Sequence, residues 1–169
     1  EDSRLKNLFS DKSWNFKADP FYLESENSLF IERFNYFLGR GKLAKYSFDS
    51  KNLVNIETNS NLHFSYPSLF EYKKNNYVIP EAAQSNGITI YKKNEDNSIT
   101  PVTTVVDDFA GIDPTIFEHN GMWYLFATDG SVGSNSFLYI FYAKDPLSNW
   151  SHHELNPVKI NTHNSRGGG

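Results

Sequence analysis

Cysteine is absent from the 169 residues and methionine occurs once. No disulfide framework, thiolate zinc site or cysteine nucleophile is therefore available. A thiol-free chain is compatible with oxidising and reducing surroundings alike, so localisation stays open. Runs of Lys and Arg are also missing. With 16 basic against 20 acidic residues and a formal charge of −4, the chain offers no electrostatic footprint for nucleic acid or an anionic membrane surface. The longest apolar run, Phe137 to Ala143, is far shorter than the ~20 residues of a spanning helix, and no membrane span is expected. No secretory signal is visible, and a start at Glu1 reads as a mature form or a piece of a longer protein.

What is present is aromatic: 14 Phe, 10 Tyr and 3 Trp make 16% of a chain that is only 38% hydrophobic. A core built from rings rather than from Leu and Ala favours strands over helices.

Three segments align as copies of one unit: Asp19-Pro20-Phe21-Tyr22-Leu23-Glu24, Tyr66-Pro67-Ser68-Leu69-Phe70-Glu71 and Asp113-Pro114-Thr115-Ile116-Phe117-Glu118. Their prolines stand 47 residues apart both times (67 − 20 and 114 − 67). Each segment leads through a turn (Glu26-Asn27-Ser28, Lys74-Asn75-Asn76, Asn120-Gly121) into a second apolar run, which predicts three β-hairpins. Two further strand-like runs follow each hairpin: Leu43 to Phe48 and Leu53 to Thr58, Ile88 to Lys92 and Ile99 to Val106, Phe137 to Ala143 and Trp150 to Leu155. About four short antiparallel strands per 47 residues is the arithmetic of a β-propeller blade. The expected fold is all-β, with three four-stranded blades starting near residues 19, 66 and 113. Since propellers close with about four to eight blades, residues 1–169 read as one incomplete propeller, with 156–169, including the terminal glycines, leading into a missing blade.

Hairpin topology gathers the start of each first strand and the end of each second strand at one end of the blade. That end collects Asp19, Glu32, Arg33, Arg40, His63, Tyr66, Glu81, Gln84, Asn86, Asp107, Asp108, Asp113 and Asp129, while Glu26, Lys73, Lys74, Asn75 and His119 fall at the other. Innermost strands line a propeller's channel, so Asp19 and Asp113 are expected at its mouth. Carboxylates, amides and rings around such a funnel suit sugars, whose hydroxyls need polar partners and whose apolar faces stack on aromatics. Paired carboxylates there also suit glycoside cleavage. Simpler roles compete: an Asp before Pro serves as a backbone-bonded turn residue, and His63, between Leu62 and Phe64, fits a satisfied structural histidine. No metal-ligand spacing, phosphate loop or nucleophile elbow is present, so neither a metal nor a cofactor is expected.

The stretches Trp14 to Phe21, Phe64-Ser65-Tyr66-Pro67, Ile79-Pro80-Glu81-Ala82, Ile112 to Gly121 and Trp123 to Thr128 together resemble the N-terminal domain of glucosamine inositolphosphorylceramide transferases, from about Ser13 to Arg166. The resemblance implies a five-bladed propeller related to arabinanase, levansucrase and invertase glycosidases, and Tyr142 to Trp150 is similar to a segment common in them. It also implies that transfer chemistry belongs to a separate glycosyltransferase domain, to which nothing here corresponds. The glycosidase relatives use Asp, Asp and Glu on successive blades; the order here is Asp19, Glu81, Asp113.

The leading functional expectation is a carbohydrate-directed propeller that binds or positions a glycan or glycolipid headgroup beside a fused or partner transferase domain. Asp19, Glu81 and Asp113 are the candidate catalytic acids, with Glu32, Arg33, His63, Tyr66, Gln84, Asn86 and Asp129 as candidate substrate contacts. A glycosidase with Glu81 as acid and Asp19 or Asp113 as base or nucleophile is the second reading. A non-catalytic interaction scaffold is the third.

Overall fold

The computed structural model describes residues 8, 15–160 and 164–167. Trp14 of the first aligned stretch and the glycines Gly168 and Gly169 lie outside the described residues.

Three sheets follow one another along the chain, antiparallel but for one short edge strand. The first holds β1 (Asn15–Leu23), β2 (Ser28–Asn35), β3 (Arg40–Ser47) and β4 (Leu53–Asn55) in that order. The second is built from β6 (Ser65–Tyr72), β7 (Asn75–Glu81), β8 (Gly87–Lys93) and β9 (Ser98–Asp107), with the short β5 (Glu57–Thr58) added to its outer edge. The third comprises β10 (Gly111–His119), β11 (Met122–Asp129), β12 (Phe137–Ala143), β13 (Ser151–His152) and β14 (Lys159–Ile160). The first strands, β1, β6 and β10, pack side by side. This is the propeller arrangement that the repeat predicts.

Two-residue alternation makes the sheets stack. Along β7, Val78 enters the core shared with the first sheet, with Phe30, Leu43, Ile56 and Phe64. Tyr77 and Ile79 point the other way, into a core with Phe70, Trp123, Leu125 and Phe141 of the neighbouring strands. The middle sheet is thus apolar on both faces. Ring pairs hold the second core: Phe70 stacks on Tyr77 at 5.2 Å and meets Trp123 at 5.2 Å, and Phe109 meets Phe141 edge-on at 5.3 Å. Each such pair adds about 0.5–1.5 kcal/mol to simple burial.

Three expectations need correction. The run Leu53 to Thr58 is not one strand: Ile56 turns inward, 2% exposed, and donates its N–H to Leu43 O at 2.9 Å. The chain then crosses to the second sheet, where Glu57 pairs in parallel with Ser98. Trp150 to Leu155 likewise breaks. Trp150 Nε1 donates to Pro146 O at 2.9 Å, and β13 and β14 pair with opposite halves of β12. Between them the Asn156 side chain takes the place of a strand residue, accepting from Ile140 N–H at 2.9 Å and donating to Ile140 O at 2.7 Å. The second hairpin turns at Lys73-Lys74, one residue earlier than the expected Lys74-Asn75-Asn76, both lysines having positive φ (49° and 61°), and Asn75 Nδ2 braces the turn by donating to Lys73 O. In the third hairpin Asn120-Gly121 forms the expected turn, with φ 52° and 76°.

Candidate carboxyl-lined site

The site is generated by one backbone device used three times. In each first strand the X-Pro pair interrupts the ladder, because proline has no N–H to donate and disfavours a helical turn in the residue before it. Pairing runs from Ala18↔Glu32 to Phe21↔Phe30, from Ser65↔Glu81 to Ser68↔Ile79, and from Ile112↔Thr128 to Thr115↔Phe126, a bulge of the same form each time. The residues before proline, Asp19, Tyr66 and Asp113, have φ of 50°, 43° and 48°. Positive φ is uncommon for residues other than glycine, and bulges re-aim side chains at functional sites.

Two repeated positions therefore converge. One is the residue before proline, Asp19, Tyr66 and Asp113. The other is the second-strand residue paired just before each bulge, Glu32, Glu81 and Thr128, opposite Ala18, Ser65 and Ile112. Four of these six side chains are carboxylic acids. Asp19, Tyr66 and Asp113 join Phe21, Arg166 and Gly167 around a cleft of about 500 Å³. Tyr66 Oη and Thr115 Oγ1 lie 2.8 Å apart, and the Phe21 ring meets the Tyr66 ring edge-on at 5.0 Å.

The electrostatics follow from burial of like charges. Burial pushes the Glu32 carboxyl up to about 7, helped by the neighbouring charges of Asp19, Glu81 and Asp113. A side-chain hydrogen bond also joins Glu32 to Asp19. Asp19 is raised, by burial first and by Asp113 second. Glu81 is raised by burial although it accepts the Asp113 N–H. Arg166 supplies the compensating charge: its Nε donates to Asp113 Oδ2 at 2.6 Å, which raises the guanidinium further. Chemically the site combines a carboxyl that titrates near neutrality with an arginine-paired carboxylate, a combination able to donate and accept protons.

His63 stands at the edge of this cluster. Its Nδ1 accepts the Gly41 N–H at 2.7 Å, which leaves the proton on Nε2, 3.9 Å from Glu32 Oε1. Burial lowers its affinity for a second proton. Gly41 is obligatory at this contact, since a Cβ there would lie 2.7 Å from Glu32 Oε1 and 2.8 Å from Phe64 O.

Of the residues read from the sequence, Asp19, Glu32, Glu81, Asp113 and Tyr66 come together, with His63 beside Glu32. Arg33 does not join them, because strand alternation turns it to the opposite face of β2 from Glu32. Gln84 is exposed and reaches only the His63 N–H, at 3.4 Å. Asn86 bonds Asp108 at 3.0 Å, and Asp129 caps Ser131 at 2.9 Å and 2.7 Å. Glu32 belongs to the acid set itself, and the parallel between Phe30-Ile31-Glu32 and Ile79-Pro80-Glu81 is the signal that points to it. Arg166 has no such signal. The tail returns to the cluster, where Thr128 Oγ1 donates to Ser165 O at 2.8 Å and Gly167 lies against Asp113 O. Among the described residues no group of three or more His, Asp or Glu is arranged to hold a metal ion, and no helix is long and apolar enough to cross a membrane.

Comparison with known proteins agrees with this architecture. Transferases named glucosamine inositolphosphorylceramide transferase 1 are 29% identical in Oryza sativa subsp. japonica and 26% identical in Arabidopsis thaliana, over 153 residues and 85% of this chain. The chain spans only 21% and 20% of those two proteins. Solved structures share the fold at low identity. An exo-β-1,3-galactanase from Phanerochaete chrysosporium, crystallised with β-1,3-galactotriose, superposes with TM-score 0.61 and 14% identity, covering 83% of this chain and 36% of that one. A family 117 glycoside hydrolase from Zobellia galactanivorans gives 0.60 and 14%, covering 89% and 59%. The family described as glucosamine inositolphosphorylceramide transferase 1, N-terminal, matches residues 7–169, and the chain belongs to that family, a carbohydrate-related β-propeller domain.

Proposed function

We propose that this chain supplies the saccharide-contacting cleft of a propeller that binds and positions a glycan or glycolipid headgroup for a fused or partner transferase domain. The observation that carries the reading is the convergence of Asp19, Glu32, Glu81 and Asp113 on bulged strand ends, beside Phe21 and Tyr66. Acceptor-rich walls suit sugar hydroxyls, and ring faces suit the apolar side of a pyranose. Against four carboxyls stands one arginine among the described residues, Arg166. The cluster beside the cleft is thus richer in carboxyls than in cations, which suits an aminosugar ammonium. The matched transferases are named for glucosamine.

Calorimetric titration with glucosamine and with inositol-containing ligands tests this. Asp19→Ala, Glu81→Ala and Asp113→Ala each weaken binding by roughly 1–3 kcal/mol, the scale of a lost charge-assisted hydrogen bond. Lys74→Ala and Asn75→Ala, at the opposite end of the second hairpin, leave it unchanged. Binding lost in the far-end variants but kept in the acid variants overturns the assignment, provided each melts like the parent. If no sugar binds, an interaction scaffold takes its place.

A second reading, glycoside hydrolysis, is favoured by the Glu32 value of about 7, which suits a general acid, with Asp19 or Asp113 as base or nucleophile. Release of reducing sugar from a glycoside, abolished by Glu32→Gln, separates hydrolysis from binding alone.

A further inference from the structure

The face of the first sheet turned away from Glu32 carries the opposite charge. Lys17, Arg33 and Lys42 are direct partners across β1, β2 and β3, and Asn15, Asn35 and Arg40 form a second row two residues along on the same face. Arg33, Arg40 and Lys42 line a cleft of about 240 Å³ with Asn15, Asn35 and Asn55, and none of its lining residues is acidic.

Two features of this array are unfavourable as they stand. Like charges directly opposite one another in a ladder destabilise a sheet, yet Arg33 faces Lys42. Arg33 Nη1 is occupied, donating to Asn55 Oδ1 at 3.1 Å, but its Nε–H is buried with no hydrogen-bond partner among the described residues. A buried donor left unpaired is costly. The amides are meanwhile held in place: Asn35 Nδ2 donates to Asn15 Oδ1 at 3.2 Å, and Asn35 Oδ1 accepts the Leu38 N–H at 2.9 Å.

One ligand chemistry suits this array. We infer that this cleft is a binding site for an oxyanion, a phosphate or a carboxylate, held between Arg33, Lys42 and Arg40. An anionic oxygen in the cleft gains charge-assisted contacts with the cationic side chains that line it, and its charge offsets the Arg33–Lys42 repulsion. The volume lies below the ~300–1,000 Å³ of pockets that enclose drug-sized ligands, so the site takes an acidic group and the atoms next to it rather than a whole oligosaccharide. The site is separate from the carboxyl cluster, since Glu32 and Arg33 point to opposite faces of one strand. Loss of either response leaves the other measurable.

The test is titration of the 169-residue chain with sodium phosphate and, separately, sodium glucuronate at constant ionic strength, following the melting temperature and calorimetric heat. A saturable rise with either anion is expected, and the stronger arm identifies a phosphate or a carboxylate source. Arg33→Met weakens the response at least tenfold, while the unliganded melting temperature holds or rises because the repulsion with Lys42 is gone. Lys42→Met weakens it less, and Lys74→Met, which removes one positive charge at the far end, leaves it intact. No saturable response to either anion, or an equal response in Arg33→Met and the parent, overturns the proposal. An Arg33→Met variant that fails to fold leaves Lys42→Met to decide: a response equal to the parent's overturns the proposal.

Discussion

The main-chain N–H of Asp113 donates to Glu81 Oε2 at 3.0 Å, tying the bulge of the third sheet to the last residue of β7 in the second. The same carboxylate lies close enough to Asp113 and Arg166 to feel both charges. One side chain thus closes the seam between two sheets and contributes to the acid cluster.

Those two roles separate by substitution. Glu81→Ala removes the acceptor and leaves the Asp113 N–H, on a residue 7% exposed, without a partner, at a cost of about 1–3 kcal/mol. Glu81→Gln keeps an oxygen in place and loses much less, while removing one of the charges that raise Glu32. Paired denaturation curves, together with an NMR titration showing the Glu32 value falling in Glu81→Gln, check both halves.

Stability should fall as pH rises through the neutral range. Glu32 has a folded value of about 7 against an ordinary 4.5, so between those limits the folded state binds more protons than the unfolded one. The slope of unfolding free energy with pH is then negative. Asp19 and Glu81, also raised, act in the same direction. The stabilising contribution is present below about pH 4.5 and lost by about pH 8, amounting to roughly 3 kcal/mol at most for Glu32 at 1.36 kcal/mol per unit. Melting temperatures from pH 5 to pH 8 measure it, and Glu32→Gln flattens the profile and raises stability at pH 8.

Gly41→Ala is expected to destabilise by about 1–3 kcal/mol, the usual penalty of overpacking. The new methyl meets Glu32 Oε1, His63 Cε1 and the Phe64 carbonyl at 2.7–2.8 Å, and the last of these is backbone and cannot swing away. Chemical denaturation gives the size of the effect, and NMR of the His63 ring reports loss of the Gly41 N–H bond to Nδ1.

Tyr66→Phe separates the hydroxyl from the ring. The hydroxyl contact with Thr115 Oγ1 links the second sheet to the third, and the ring contact with Phe21 links it to the first. Loss of the hydroxyl alone costs about 0.5–1.5 kcal/mol. Tyr66→Ala, which also empties a site 5% exposed, costs about 3–5 kcal/mol. Denaturation midpoints of the two variants supply the comparison.

The repeat was legible because its information is local. Proline at 20, 67 and 114 breaks a ladder wherever it stands, and alternating apolar residues declare a strand without reference to anything distant. The blade starts expected near residues 19, 66 and 113 fall at the bulge of each first strand, and Asp19 and Asp113 follow from the same alignment. The departures come from energies that no local pattern contains. Ile56 divides its strand because a buried position lies beneath it, and the Asn156 side chain substitutes for backbone by accepting the Ile140 N–H and donating to its carbonyl on the outer side of β12. Arg166 reaches Asp113 across 53 residues of sequence, a contact that exists only after the tail has folded back. Lys17, Arg33, Arg40 and Lys42 form no run in the sequence and become an array through the register of three strands. Adjacent letters such as Glu32 and Arg33 thus end on opposite faces with opposite chemistry, because pleating separates neighbours in the chain and strand pairing joins residues that are not.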